Sequence, residues 1–204
     1  MPTTTHPAPD HKLIIACGAI AREVAAICEA NQLHHIELEC LPAIWHNTPE
    51  KIAPGLREKI AQARARGVRD IYVGYAECGT HGEIDRLCEE QDLQRLPGPH
   101  CYAFYSGVEA FLANTEHEFT AFYLTDLICR QFEAFIVEPM KLDKHPELIE
   151  MFFGHYEKIV YLAQTDDAAL DARGKAAADF LGLAYEKRFT GYGDLKTAIE
   201  SRFD

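Results

Sequence analysis

The sequence predicts an α/β fold in which parallel sheets are flanked by helices. Short apolar runs such as LIIA (13–16), IYV (71–73) and KIVYLA (158–163) each lead into a turn and then into a segment of helical spacing. Alternation of strand and helix gives parallel strands with helices on the sheet faces. The order strand, turn, helix, strand, loop, helix also recurs, at about residues 12–67, 68–114 and 157–204. Three pseudo-symmetric repeats are one reading of that recurrence, and an ordinary α/β domain with uneven spacing is the other. Residues 12–204 are expected to form a single domain behind a short disordered lead, 1–11, which is polar and proline-rich.

The elements follow in order. KLIIACGAIAREVAAICEANQL is strand, Cys-Gly turn and helix, with Ile20, Val24 and Ile27 three and four residues apart. HHIELECL alternates Ile36, Leu38 and Cys40 against polar neighbours, as a second strand does. PAIWHNTPEKI is a loop, followed by a helix at about 51–66 that Gly67 closes. RDIYVGYAECGTHGEIDRLCEEQDL repeats strand, Cys-Gly turn and helix; QRLPGPHCYAFYSGVEAFL adds an extended segment, a loop with His100 and Cys101, and a helix.

Residues 115–156 read as a helical insertion, with Phe122, Leu127, Phe132, Phe135 and Ile136 at helical spacing. It covers one face of the domain or serves as a dimer contact that makes the chain a homo-oligomer. KIVYLAQTDDAALDARGKAAADFLGL and AYEKRFTGYGDLKTAIES complete the third strand-helix set.

Apolar residues make up 48% of the chain, enough for a substantial core. The net charge of −12, from 32 acidic and 20 basic residues, argues against nucleic acid as a partner. No apolar run approaches the roughly 20 residues of a membrane span, and no signal peptide is evident, so a cytoplasmic protein is expected. Seven cysteines, an odd number, argue against a disulfide framework.

Cys17 and Cys78 each follow a strand, precede a glycine and stand before a helix. A thiol at a helix N-terminus is expected to have thiolate character, as metal ligands and nucleophiles do. His46, in WHNTP, and Cys101, in PGPHCYAFY, lie in the loops after the second strands, with His100 as the reserve to Cys101. Three thiolates and an imidazole suit zinc, and their softness admits iron as well. The ligands are scattered from residue 17 to residue 101 without a C-x-x-C pair, which suits a catalytic site better than a structural zinc. Glu77 is a candidate base, His81 can reach the site from the Cys78 turn, and Tyr192 lies in a glycine-flanked loop suited to a polar ligand. Cys28, Cys88 and Cys129 read as core, and Cys40 as a reserve ligand.

IIACGAIAREV, LPAIWHNTPEKI, YAECGTHGEID, LPGPHCYAFYSGV, FYLTDLICRQF and FFGHYEKIVYLAQTDD resemble the domain-of-unknown-function 1638 family, over about residues 12–200. Its cysteine and histidine motifs correspond to Cys17, His46, Cys78 and Cys101. The resemblance implies an association with corrinoid-dependent methyl transfer and one-carbon systems, and carries no established activity. Quinolinate synthase is a looser analogy, a pseudo-threefold α/β protein with a cysteine-held iron–sulfur cluster. Gln164, Thr165 and Asp166 stand where the third cysteine would be.

The resulting expectation is a zinc- or iron-dependent enzyme of one-carbon or methyl-transfer chemistry acting on a small molecule. A non-catalytic metal or corrinoid accessory protein is the second reading. A metal-free enzyme with Cys17 or Cys78 as nucleophile and His46 or His81 as base is the third.

Overall fold

The computed structural model describes residues 11–114 and 119–203. The expected disordered lead therefore lies almost wholly outside the described residues. The described chain divides into two compact units, residues 11–101 with 195–203, and residues 102–194.

The first unit holds a four-stranded parallel sheet in the order β2-β1-β3-β4. Its strands are β1 (Lys12–Cys17), β2 (Ile36–Leu41), β3 (Asp70–Gly74) and β4 (Gln94–Arg95). The central strands β1 and β3 are almost continuously apolar because a parallel sheet is covered on both faces. Helices α1 (Ala21–Ala30), α2 (Ile52–Ala65) and α3 (Glu83–Gln91) connect the strands. Leu13, Ile15, Leu56, Ile60, Val73, Tyr75, Ile84 and Leu87 form the core between sheet and helices. Fully burying each large aliphatic side chain contributes roughly 1.5–3 kcal/mol.

Strand β2 lies at an edge of this sheet and departs from its expected alternation. Ile36 to Glu39 are all half-buried, and the reserve ligand Cys40 is exposed. Glu39 there receives Lys59 at 2.7 Å and also pairs with Arg66.

Helix α4 (Cys101–Ser106) begins where the chain leaves the first unit, and α5 (Val108–Asn114) follows it. The second unit carries a three-stranded parallel sheet, order β5-β6-β7, from Ala121–Leu124, Lys158–Ala163 and Ala184–Phe189. The segment expected as a helical insertion thus supplies a strand. Phe122 stands on β5, paired with Ile159. Helical spacing holds only from Asp126 onward, through α6 (Asp126–Arg130), a π-helical turn (Glu133–Val137), α7 (Glu138–Met140) and α8 (Leu148–Phe153). The first two predicted repeats merge into one sheet, and the third pairs with β5.

Helix α9 (Ala168–Leu181) is capped by Asp167, whose carboxylate accepts from the Ala169 amide at 2.8 Å. The last helix, α10 (Gly193–Phe203), brings the chain back to the first unit at Leu195.

Asp126 is the polar centre of the second unit and is fully buried. Its carboxylate accepts from the Tyr161 hydroxyl at 2.7 Å, the Gln164 amide at 3.0 Å and the Thr165 hydroxyl at 2.5 Å, with Arg130 at 3.3 Å. Gln164 returns a bond by accepting from the Asp126 amide at 2.8 Å. The polar turn in the place of a third cysteine therefore serves to hold a buried carboxylate.

Candidate functional site

The candidate site lies past the carboxyl ends of β1 and β3, where open α/β sheets place their ligands. Ala16 and Gly74 are register partners on these neighbouring strands. Continuing both strands by one residue gives Cys17 and Tyr75, and Cys78 follows in the next turn.

Four chain segments meet there. A Cβ added to Gly18 would stand 3.0 Å from the Leu41 carbonyl oxygen and 3.1 Å from the Ala43 nitrogen, so glycine permits the Cys17 turn to touch the loop after β2. The next turn of that loop, Ala43–Asn47, carries His46, and its Trp45 ring packs flat enough on α2 to need glycine at position 55. Gly79 faces Pro49 of the same loop. The Glu77 and Cys78 amides donate to the Gly98 and Pro99 carbonyls at 3.1 and 2.8 Å, which brings the His100–Cys101 segment to the Cys78 turn. Arg95 secures that segment, pairing with Asp85 at 2.6 Å and donating to the Leu96 carbonyl at 2.7 Å.

The Cys78 turn is unusual in its backbone. Cys78 has φ +51° and His81 φ +53°, a left-handed conformation that costs a side-chain-bearing residue roughly 1–2 kcal/mol. Glu77 holds this conformation in place. Its carboxylate accepts from the Gly79 amide at 2.8 Å, the Gly82 amide at 3.0 Å and the Thr80 hydroxyl at 3.1 Å. Burial alone would raise the Glu77 pKa, but these donors together bring it below the usual carboxylate range. So engaged, Glu77 positions the turn and is a poor general base. His81 is exposed, and Tyr192 belongs to the second unit.

Cys17 and Cys78 are both free thiols, half-buried against the core, and close enough that charge on one bears on the other. The expected thiolate character is overturned. Burial raises Cys17 above its ordinary value despite the hydrogen bond from the Ala19 amide at 3.4 Å, because a three-residue 3-10 turn offers too little positive field to offset desolvation. Burial, reinforced by Cys17, pushes Cys78 up to about 12. Both are neutral thiols at pH 7 unless a cation displaces their protons.

His46 and His100 interact electrostatically. His46 is exposed at its outer surface yet crowded by the surrounding loops, and that crowding lowers its pKa; burial lowers that of His100, with His46 adding to the effect. Neutral imidazole is the form that binds a metal. Among the described residues, no three or more His, Cys, Asp or Glu side chains stand in metal-holding geometry. The segments bearing Cys17, His46, Cys78, His100 and Cys101 meet past the carboxyl ends of β1 and β3, where the Cys17 and Cys78 side chains interact electrostatically, as do those of His46 and His100.

Sequence reasoning did not single out Tyr75 or Asp126. Tyr75 is 2% exposed, and its hydroxyl, set among Cys17, Cys78 and Cys40, makes no hydrogen bond of ordinary geometry. The signal for Tyr75 was its register, one residue past β3 beside Cys17. Asp126 signalled itself only as an acid inside an apolar stretch.

No helix among the described residues is long and apolar enough to cross a membrane. No curated protein and no solved structure matches the chain. A family described as "Protein of unknown function (DUF1638)" matches residues 40–199, and the chain belongs to that family.

Proposed function

We propose that the protein is a metal-dependent enzyme, with zinc or iron at a Cys/His site, acting in one-carbon or methyl-transfer metabolism in the cytoplasm. The observation that carries this reading is Cys78, held in a left-handed backbone conformation by Glu77 and placed beside Cys17. A glycine would adopt that conformation at lower cost, and a chemical use for the thiol would account for a cysteine there.

The donor types, thiols and imidazoles, suit a soft metal, and their side chains would have to draw together from the positions seen here to bind one. Two neighbouring thiols with raised pKa values become a matched anionic pair when a dication replaces their protons. Cys17 and Cys78 would hold the metal, with Cys101 and His46 as the further ligands and His100 in reserve. A metal bound there supplies Lewis acidity toward a substrate thiol or amine. The chain's own residues do the rest. Glu77 fixes the backbone turn that carries Cys78, the Trp45–Gly55 contact fixes the loop of His46, and the neutral imidazole of His100, when it is not itself a ligand, can accept the substrate's proton. The methyl-transfer assignment, and a corrinoid methyltransferase as partner, rest on the family resemblance. The raised thiol pKa values weigh against a metal-free cysteine nucleophile.

Elemental analysis of protein purified without oxygen tests the proposal. About one zinc or iron per chain is expected, falling severalfold in Cys17→Ser and Cys78→Ser. Wild-type protein devoid of both metals, or serine variants with unchanged content, would contradict it.

A further inference from the structure

Helices α6 and α9 lie against each other in the second unit, and a groove of about 370 Å³ runs between them. That volume falls within the roughly 300–1,000 Å³ of small-molecule sites. Its walls are largely apolar. The Phe132 and Phe180 rings meet nearly at right angles with centroids 6.0 Å apart, and Val137 and Ala176 extend the surface. Phe180 is 42% exposed, so its ring is open to an occupant. The chain is also irregular there. Helix α6 stops at Arg130, and Glu133 to Val137 form a π-helical turn whose two end residues both line the groove. Such turns are rare and occur frequently at functional sites.

Charge narrows the choice of occupant. Arg130 lines the groove and is engaged by the buried Asp126 carboxylate at 3.3 Å. Arg173 gives one N–H to the Arg130 carbonyl at 3.3 Å and has no carboxylate partner among the described residues. A guanidinium carries five N–H donors in a planar fork that matches a carboxylate, so most of Arg173 is left for a ligand. Glu133 shares the groove and is likewise in no ion pair among the described residues. It repels a second negative charge, which disfavours a phosphate monoester at about −1.5 to −2. We propose that this groove binds a small monocarboxylate with an apolar body. Arg173, beside Arg130, takes the carboxylate, and the body lies against Phe132, Val137 and Phe180. The groove belongs wholly to the second unit, and its occupant does not depend on the metal site of the first.

Amide NMR titration of the full-length protein tests it, with phenylacetate as the probe and phenyl phosphate and 2-phenylethanol as comparisons. Phenylacetate is expected to shift the amides of residues 129–137 and 173–180 saturably, and to bind more tightly than either comparison. Arg173→Gln keeps a donor for the Arg130 carbonyl but loses the charge, and should bind about tenfold or more weakly. Ala176→Phe sets a ring into the groove from an exposed helical position, and should abolish binding while the rest of the spectrum stays that of the folded protein. The absence of saturable shifts in these residues of the wild type would overturn the proposal. So would unchanged affinity in either variant. Phenyl phosphate binding as tightly as phenylacetate would overturn the monocarboxylate assignment, and 2-phenylethanol doing so would overturn the role of Arg173.

Discussion

The backbone amide of Cys78 donates to the carbonyl oxygen of Pro99 at 2.8 Å. This bond joins the turn after β3 to the segment that carries His100 and Cys101. With the Glu77 amide donating to Gly98 at 3.1 Å, it brings segments distant in sequence together past the carboxyl end of β3.

Glu77 is expected to act on structure. Glu77→Ala leaves the Gly79 and Gly82 amides without their acceptor, and a loss of roughly 1–3 kcal/mol of stability follows from such orphaned groups. Chemical denaturation with and without bound metal measures it. An unchanged midpoint together with abolished turnover would assign Glu77 to proton transfer instead.

Thiol reactivity in metal-free protein should follow burial. Cys40 is exposed and should react first with iodoacetamide at pH 7.5. Burial raises the pKa of all three thiols, but Cys17 and Cys78 are also the less accessible, and they should react about tenfold or more slowly. Cys88 and Cys129 are buried and should wait for unfolding. Mass-spectrometric rates for each cysteine decide this. Cys17 or Cys78 reacting as fast as Cys40 would restore the nucleophile reading.

Asp126 should be the most sensitive polar position of the second unit. Asp126→Ala strands the Tyr161 and Thr165 hydroxyls, the Gln164 amide and the Arg130 guanidinium, at a cost of about 3–5 kcal/mol. Urea denaturation monitored by a probe in residues 102–194 reads this directly. A loss below about 1 kcal/mol, the level of a surface pair, would contradict it.

Glu186 should mark the acid limb of stability. Hydrogen bonds from Arg188 and Lys158 hold its pKa at about 2, below the ordinary 4.5. A folded-state pKa below the unfolded one stabilises above the unfolded value, and the stabilisation is lost as pH falls from about 4.5 through about 2. The melting-temperature difference between wild type and Glu186→Gln should therefore be present at pH 6 and vanish near pH 2. It should be small, because the side chain is well exposed. A difference constant across that range would contradict the assignment.

The strands were legible where chemistry is local. The runs at 13–16, 71–73 and 159–163 are apolar throughout because parallel strands are covered on both faces. Cys17 and Cys78 were legible as strand-end residues before glycine. Strand β5 was not, since AFYL is short and its aromatics happen to continue at helical spacing past Thr125. The thiolate expectation failed because local sequence shows the turn and hides the core packed behind it. The engagement of Glu77 depends on how one turn folds, and the placement of Tyr75 beside Cys17 on the β1–β3 register, neither of which adjacent residues encode.

X-ray absorption at the edge of the bound metal tests the central claim most directly. Two or more sulfur ligands at about 2.3 Å are expected in wild type, with one fewer in Cys78→Ser. A shell of nitrogen and oxygen alone, or a spectrum that neither Cys17→Ser nor Cys78→Ser alters, would contradict it.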